Sequence, residues 1–213
     1  MASGSRTYIA IAGNIGAGKS TLVDFLCRTY GIQPFFEPNE DNPYLEDFYA
    51  DMKAWSFPSQ VFFLSHKFRI HQALDQTPGV VVQDRTIYED AEIFATALHE
   101  MGKMSDRDFR TYQELYQTIC SSLTGPDLLI YLRCPMKTLK RRIKLRGRAM
   151  EQDIPLSYLK LLDKLYEEWI ARYQAEGLGE VLVLDTERMD YLTDLVHRLD
   201  VMKRIERYLP RAA

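Results

Sequence analysis

The chain has 213 residues, with 27 lysines and arginines against 30 aspartates and glutamates, and a formal net charge of −3. This length suits one domain, and a hydrophobic fraction of 46% is typical of globular rather than disordered proteins. Slight acidity argues against a nucleic-acid partner, which needs a basic excess over a whole face. No stretch approaches the roughly 20 apolar residues of a membrane span, so we expect no membrane contact.

The N-terminus and the cysteines predict a cytoplasmic protein. The first residues, MASGSRTYIAIAG, contain no apolar run long enough for a secretion signal before a glycine interrupts it. Cys27, Cys120 and Cys134 are odd in number and far apart, so they predict neither a disulfide framework nor a metal site. Buried thiols in a reducing compartment are the interpretation that we favour.

Short apolar runs predict the strands of a buried sheet. Each run is nearly continuous in apolar residues and is bounded by polar or turn residues, as in strands that are covered on both faces. Segments with helical spacing alternate with the runs, among them one that begins at Ser105 and one that begins near Pro155. This alternation predicts an α/β fold, a parallel sheet with helices on both faces, in one domain over residues 1–213. The predicted strands are residues 7–13, 32–37, 80–84, 127–132 and 180–185.

A phosphate-binding loop follows the first predicted strand directly, with the sequence GNIGAGKST. It matches the pattern G-x-x-x-x-G-K-[ST], and a strand precedes it and a helix follows it, as the pattern requires. Amides of such a loop bind phosphate oxygens, the lysine reaches the β- and γ-phosphates, and the serine hydroxyl binds Mg²⁺. The sequence therefore predicts binding of ATP or GTP. The predicted nucleotide-binding residues of the loop are Gly13, Asn14, Ile15, Gly16, Ala17, Gly18, Lys19, Ser20 and Thr21.

Charged residues follow the second and third predicted strands, where ligands of open α/β sheets bind. Glu37 follows strand two and is placed to accept a proton from an attacking hydroxyl. Asp84 and Arg85 follow strand three; the carboxylate suits a Mg²⁺ site with Ser20, and the guanidinium suits a transferring phosphoryl group. No N-K-x-D segment that reads guanine is present, which excludes a GTPase. Another nucleotide switch or motor, a kinase of a small acceptor, and a module that only binds nucleotide stay open.

On these residues the chain resembles the deoxyribonucleoside kinases over essentially its whole length. The motifs that carry the resemblance are GNIGAGKS, FFEP, WSFPSQVFFLSHKFR, the DRT triplet and RRIKLRGRAMEQDIPLSYL. The resemblance implies transfer of the γ-phosphoryl group of ATP, with Mg²⁺, to the 5′-hydroxyl of a deoxynucleoside. It also implies a P-loop kinase fold with a five-stranded parallel sheet and a basic lid, and a homodimer.

The resemblance assigns roles to individual residues. Glu37 corresponds to the general base, Gln60 to the amide that binds the base edge, and Phe94 to the ring that stacks on the base. Tyr49 and Glu151 correspond to the groups that bind the sugar 3′-hydroxyl. The predicted catalytic residues are Glu37, Arg85, Lys19, Arg142, Arg146 and Arg148. The predicted substrate-binding residues are Glu37, Tyr49, Gln60, Phe63, Lys67, Arg85, Asp90, Phe94 and Glu151.

The basic stretch KTLKRRIKLRGRAMEQD, residues 137–153, matches the family's R-x-x-x-R-G-R lid. A spacing of four puts Arg142 and Arg146 on one helix face. Both are also predicted to bind ATP. Gly147 lets the backbone turn towards Arg148. Arginines that reach a transferring phosphoryl group can contribute on the order of 10³–10⁵ in rate. Too few apolar residues are present for a membrane-surface helix. We therefore expect a lid at about residues 142–153.

The preferred nucleoside is less clearly encoded. Lys67 and Asp90 fall where purine-preferring and deoxycytidine-type members carry an arginine and an aspartate beside the base. The chain departs from the family in three places. Lys67 stands where most members have arginine, and a lysine lacks the two-pronged geometry of arginine. Phe63 is bulkier than the residue of animal members, and Asp84 stands where many members have glutamate. We favour deoxyadenosine, then deoxyguanosine, with deoxycytidine third.

Two alternatives to a deoxynucleoside kinase stay open. A monophosphate kinase of the thymidylate type would need a cation near Glu37 for the acceptor phosphate, but FFEPNEDNPYLED contains only acids. A nucleotide-dependent regulator would lack an acceptor altogether.

Overall fold

One parallel sheet of five strands lies at the centre of the part of the chain that the structure describes. The computed structural model describes residues 6–36, 42–148, 151–152, 154–187 and 194–209. The spatial order of the strands is β2-β3-β1-β4-β5, which confirms the predicted five-stranded parallel sheet. β2 is shorter than its predicted run of residues 32–37. It pairs with β3 alone, and Pro34 within it has no N–H to donate, as is typical of an edge strand. The strands are β1 (Arg6–Ala12), β2 (Gln33–Phe35), β3 (Gly79–Asp84), β4 (Leu128–Arg133) and β5 (Glu180–Asp185).

Helices connect these strands. A π-helical turn, Asp90–Ala95, joins two short helices after β3; such turns are frequent at functional sites. None of the helices in the described residues is long and apolar enough to cross a membrane. The helices are α1 (Lys19–Tyr30), α2 (Leu45–Ala50), α3 (Met52–Asp75), α4 (Ile87–Glu89), α5 (Thr96–Glu100), α6 (Asp106–Cys120), α7 (Met136–Arg146), α8 (Leu156–Ala175) and α9 (Leu195–Glu206).

Two predicted helices begin where their sequence signals indicate. Ser105 is the N-cap of α6, and its Oγ accepts a hydrogen bond from the Asp108 N–H at 3.1 Å. This contact satisfies one of the amides that a helix start leaves without an intrahelical partner. α8 begins directly after Pro155, and a proline fits a helix start because the first helical amides have no partner within the helix.

Alternation along β1 divides its side chains between two cores. Tyr8 and Ala10 point into a core that α3, α6 and α8 cover. Ile9 and Ile11 point into a second core, which α1 and α9 cover. All four side chains are fully buried, and burying one isoleucine contributes about 1.5–3 kcal/mol. Helices therefore cover both faces of the sheet, as predicted.

The carboxyl ends of the central strands meet at one edge of the sheet. Ile11 of β1 is in register with Asp84 of β3, and Ala12 with Tyr131 of β4. The loop that follows β1 therefore begins beside Asp84, at the edge where parallel sheets bind ligands.

Candidate active site

The loop between β1 and α1 has the backbone of a phosphate-binding loop. Gly13, Gly16 and Gly18 have positive φ angles of 152°, 82° and 102°, which glycine adopts readily and other residues do not. Lys19 opens α1, and its Nζ donates to the carbonyl oxygens of Gly13 and Asn14 at 2.9 and 3.2 Å. The lysine ammonium is therefore held beside the loop, at the positive end of the α1 dipole.

Helix α7 packs directly on this loop. A Cβ atom added at Gly16 would lie 2.9 Å from Cγ1 of Ile143 and 3.1 Å from the carbonyl oxygen of Leu139. The Arg142 Nη1 donates to the carbonyl oxygen of Ala17 at 2.8 Å and to Oγ1 of Thr186 at 3.1 Å. The structure therefore places Arg142 against the wall of the loop, apart from the cleft that the other two lid arginines line. Its predicted catalytic role stays a prediction.

Ser20 and Asp84, the two residues predicted to bind a metal, are in contact. The Ser20 hydroxyl donates to Oδ2 of Asp84 at 2.5 Å, and Oδ1 of Asp84 is buried without a hydrogen-bond partner among the described residues. The described residues hold no cluster of three acidic, histidine or cysteine side chains that could bind a metal alone. Mg²⁺ is typically bound by one or two protein oxygens together with substrate phosphates and water. These two side chains fit that requirement.

A cleft of about 740 Å³ opens beside the loop. Most residues that the sequence singles out converge on it, and three that the sequence did not indicate, Leu45, Phe48 and Tyr158, also line it. Leu45 lies four positions before Tyr49 in α2 and so shares its helix face, a signal that could have revealed it. The predicted residues that line the cleft are Ile15, Gly16, Lys19, Ser20, Tyr49, Gln60, Phe63, Asp84, Arg85, Asp90, Phe94, Arg146, Arg148 and Glu151.

Other predicted residues lie behind this surface or outside the described part. Gly13, Asn14, Ala17 and Gly18 form the loop without lining the cleft, and Thr21 is an exposed residue of α1. Asn14 instead holds the loop in place, because its Nδ2 donates to the carbonyl oxygen of Leu159 in α8 at 3.0 Å. Glu37 lies outside the described residues.

An amide, a carboxylate and aromatic rings meet at the inner end of the cleft. The buried Oε1 of Gln60 has no hydrogen-bond partner among the described residues. The π-helical turn brings Asp90 and Phe94 to the same surface. Because an unpaired buried amide oxygen costs free energy, this end of the cleft suits a ligand with a hydrogen-bond donor and a flat ring.

Lys67 does not line the cleft, which differs from its predicted place in the substrate-binding set. It is fully buried, and its Nζ pairs with Oδ1 of Asp90 at 2.5 Å. Its ammonium also lies 5.6 Å from the ring centre of Phe63. Lys67 thus contacts two residues that line the cleft, Asp90 and Phe63, and can act on a ligand through them.

Two of the three predicted lid arginines share one carboxylate. The Arg146 Nη2 donates to Oε2 of Glu151, and the Arg148 Nη1 lies 3.4 Å from Oε1 of the same side chain. Glu151 is only 6% exposed, whereas both arginines are partly open to solvent. The predicted sugar-binding group is thus in contact with the predicted phosphate-binding groups.

Arg85 lines the cleft in a strained backbone conformation. Its φ of +61° is the only positive φ of a non-glycine residue in the described part of the chain. Such a conformation costs roughly 1–2 kcal/mol. Its guanidinium carbon lies 4.4 Å from the ring centre of Phe94, and Nε lies 4.0 Å from Oε1 of Glu89. Glu89, which is not among the predicted site residues, is fully buried beside Arg85.

Burial changes the acidity of two groups at the cleft. It raises the pKa of the Glu89 carboxyl, although nearby Arg85 and Lys19 oppose the shift. It also raises the pKa of the Tyr158 phenol, so this hydroxyl stays protonated and can donate a hydrogen bond. The cleft thus combines a cationic phosphate end with a polar and aromatic inner end.

Comparison with known proteins assigns the chain to a family. The sequence profile of the family Deoxynucleoside kinase matches residues 9–210. The chain belongs to the deoxynucleoside kinase family. It is an enzyme, a kinase that binds a nucleoside and ATP, and its fold is that of the P-loop nucleoside kinases.

Individual deoxynucleoside kinases are similar to the chain over most of its length. Deoxyadenosine kinase of Dictyostelium discoideum is 42% identical over 204 residues, which cover 89% of this chain and 83% of the relative. Deoxyadenosine/deoxycytidine kinase of Bacillus subtilis is 39% identical over 190 residues, 88% of this chain and 86% of the relative. A solved structure of deoxyadenosine kinase from M. mycoides with dCMP and dCDP bound has a TM-score of 0.84 and 31% identity, covering 94% and 100% of the two chains.

Proposed function

We propose that this kinase transfers the γ-phosphoryl group of Mg-ATP to the 5′-hydroxyl of a purine deoxynucleoside, deoxyadenosine first and deoxyguanosine second, with deoxycytidine as a third acceptor. The observation that carries the proposal is one cleft that joins the phosphate loop to an inner pocket with Gln60, Asp90 and Phe94. Binding both substrates in one cleft turns a bimolecular step into an effectively unimolecular one.

The chain's own side chains supply the rest of the chemistry. Mg²⁺, when bound by Ser20 and Asp84, neutralises charge on the β- and γ-phosphates. Lys19 and Arg85, the chain neighbours of Ser20 and Asp84, also line the cleft and stabilise the charge that develops on the transferring group. Arg146 and Arg148 contribute from the lid, at about residues 142–153. We assign proton transfer from the 5′-hydroxyl to Glu37, the acid that follows β2.

The preference for adenine rests on hydrogen-bond complementarity. The 6-amino group of adenine carries two N–H donors, and the inner pocket presents the Oε1 of Gln60 and the carboxylate of Asp90 as acceptors. Guanine presents an acceptor, O6, at the same position, so it has to bind with a different set of contacts. The 4-amino group of cytosine offers the same donors as adenine on a smaller ring. Two relatives, named deoxyadenosine/deoxycytidine kinase and deoxyadenosine kinase, support deoxyadenosine as the first acceptor in this order.

A substrate panel tests the proposed function. The protein is incubated with Mg-ATP and each of deoxyadenosine, deoxyguanosine, deoxycytidine, thymidine, adenosine and thymidine monophosphate, and products are followed by mass spectrometry. We expect nucleoside monophosphate from the purine deoxynucleosides, with deoxyadenosine giving the highest kcat/KM. Product only from thymidine monophosphate would assign a monophosphate kinase instead. Acceptor-independent ATP hydrolysis alone would indicate a regulator.

Replacing Tyr49 with phenylalanine is expected to raise the KM for deoxyadenosine about 2- to 10-fold with little change in kcat. The change removes one neutral hydrogen bond to the sugar 3′-hydroxyl, which is typically worth about 0.5–1.5 kcal/mol. KM is measured with deoxyadenosine and with 2′,3′-dideoxyadenosine, which has no 3′-hydroxyl, and the effect of the variant should disappear with the second substrate. Tyr116→Phe, on α6 and away from the cleft, is the matched control. Equal effects on both substrates would remove Tyr49 from the 3′-hydroxyl.

We further propose that the kinase is a cytoplasmic homodimer. All three cysteines are free thiols, which suits a reducing compartment. On α6, Phe109, Tyr116 and Ile119 are only partly buried and Leu115 is 41% exposed. An apolar face of this kind, on a helix beside the sheet, supports association of two copies. Light scattering in solution, with Leu115→Glu as the disrupting variant, tests the dimer.

A further inference from the structure

Glu89 connects three parts of the active site through one carboxylate. Its Oε1 accepts from the phenol of Tyr166 in α8 at 2.8 Å and from the amide of Gly13, the first residue of the phosphate loop, at 3.4 Å. Its Oε2 accepts from the N–H of Thr86 at 2.8 Å and from the Thr86 hydroxyl at 3.3 Å. The loop, the turn after β3 and α8 therefore meet at a side chain that is fully buried.

The surroundings of this carboxylate favour its ionised form. Each group that contacts its two oxygens, the amides of Gly13 and Thr86 and the hydroxyls of Thr86 and Tyr166, donates a hydrogen bond. An ionised carboxylate is an acceptor only and matches such a set, whereas a protonated one keeps its contacts only if the hydroxyl of Thr86 or Tyr166 turns to accept. Burial raises the pKa of this carboxyl above its ordinary value. The titratable groups that face it are Arg85, Lys19 and Lys67, which lower that pKa, together with Tyr166 and Tyr8.

The same carboxylate supports the strained turn that carries Arg85. Thr86 follows Arg85 directly and is held through both its N–H and its hydroxyl by Glu89. Strained residues persist only where the surrounding structure holds them firmly. The Arg85 Nε lies 4.0 Å from the same carboxylate, and the guanidinium stacks on Phe94 on its other side. Glu89 thus supports the backbone conformation of Arg85 through Thr86 and the position of its guanidinium through a direct ionic contact.

We propose that Glu89 is a positioning residue for phosphoryl transfer: its ionised carboxylate sets Arg85 and the first amide of the phosphate loop relative to each other and to α8. The expected effect on kcat rests on the proposed kinase function. The expected effect on ATP binding does not, because the geometry of the phosphate loop affects ATP binding whichever acceptor is used. Because a displacement of about 1 Å in an active site can cost roughly 100-fold in rate, a group that aligns two phosphate-binding elements has a large effect without touching the substrate.

Three variants test the proposal. Glu89→Gln puts an amide N–H₂ among donors and is expected to lower kcat about 100-fold, with the KM for deoxyadenosine changed less than about threefold. Tyr166→Phe keeps the ring packed against Trp169 but removes one donor to the carboxylate, which raises the pKa of Glu89. The acid limb of the kcat–pH profile should therefore move to higher pH. In Glu89→Gln/Tyr166→Phe the second substitution should cause no further shift, because the group that titrates is gone.

Controls separate this role from a structural one and from the proposed function. Asp108→Asn changes the same position of another capped helix, α6, away from the cleft, and should leave kcat and its pH profile unchanged. Circular dichroism confirms that each variant folds. A kcat–pH profile that Tyr166→Phe does not move would overturn the proposal.

Calorimetry at pH 8 measures Mg-ATP binding without an acceptor, and Glu89→Gln should weaken that binding about tenfold. Wild-type binding of Mg-ATP without nucleoside phosphorylation would instead reject the proposed function, and unchanged Mg-ATP affinity in Glu89→Gln would reject the positioning role.

Discussion

Replacing Lys67 with methionine is expected to lower the free energy of unfolding by about 3–5 kcal/mol at pH 7. Lys67 is fully buried, and its partner Asp90 is only 3% exposed at the side chain. Removing one partner of a buried ion pair leaves the other charge without compensation in a poorly solvating environment, and the cost is typically of that size. Urea unfolding monitored by circular dichroism measures the change directly.

Two comparisons isolate the buried charge as the cause. Lys67→Met/Asp90→Asn removes both charges and should recover most of the lost stability, because no unpaired ion is left. Lys164→Met breaks the exposed pair with Glu168, in which both side chains are more than half exposed, and should cost less than about 1 kcal/mol. If Lys67→Met is as stable as the wild type, the two buried groups are not an ion pair.

Replacing Glu37 with glutamine is expected to lower kcat by a factor of about 10²–10⁴ while the Kd for deoxyadenosine stays within about threefold of the wild type. Glutamine keeps the shape of glutamate but cannot accept the proton of the 5′-hydroxyl. Glu37 follows β2 two positions after its last residue, Phe35. Phe35 is in register with Gln83, the residue before Asp84. Turnover is measured with Mg-ATP and deoxyadenosine, and nucleoside binding by calorimetry.

Glu46→Gln is the matched control for this substitution. Glu46 lies in the first turn of α2, is exposed and does not line the cleft, so its replacement should leave kcat within about twofold. A Glu37→Gln enzyme that keeps its turnover would remove Glu37 from the role of general base.

The features that the sequence predicts well are those that a short stretch determines. The first strand, the glycine-rich loop and the start of α1 follow from an apolar run that ends directly in GNIGAGKS. Ser105 predicts the start of α6 because an N-cap is a local contact: its hydroxyl accepts a hydrogen bond from the backbone N–H three residues later. The order of strands and helices follows equally from local pattern, and parallel connections then restrict the topology. The family roles of the site residues stay predictions, although most of these residues do converge on one cleft.

The features that the sequence did not predict depend on contacts between distant residues. Glu89 touches Gly13 and Tyr166, which are 76 and 77 positions away, whereas the local signal at its position, the capping-box spacing of Thr86 and Glu89, predicts a helix start and not a buried carboxylate. Arg142 has the spacing of a lid arginine, but its guanidinium reaches Thr186, 44 positions away. Lys67 shares a helix face with Gln60, yet only the packing of α3 against the π-helical turn places it behind Asp90. The spacing of residues predicts which face of a helix a side chain is on, but it does not predict how deeply that side chain is buried.

The contact between Gly16 and Ile143 restricts how this enzyme can evolve. In the pattern G-x-x-x-x-G-K-[ST], position 16 is one of the variable letters. Here a side chain at that position would collide with the helix that carries the lid, and the φ of +82° would strain any residue with a Cβ. A smaller residue at position 143 would relieve the collision but not the strain. We therefore expect homologues with this packing to retain glycine at the position, so that the effective signature of this lineage is G-x-x-G-x-G-K-[ST].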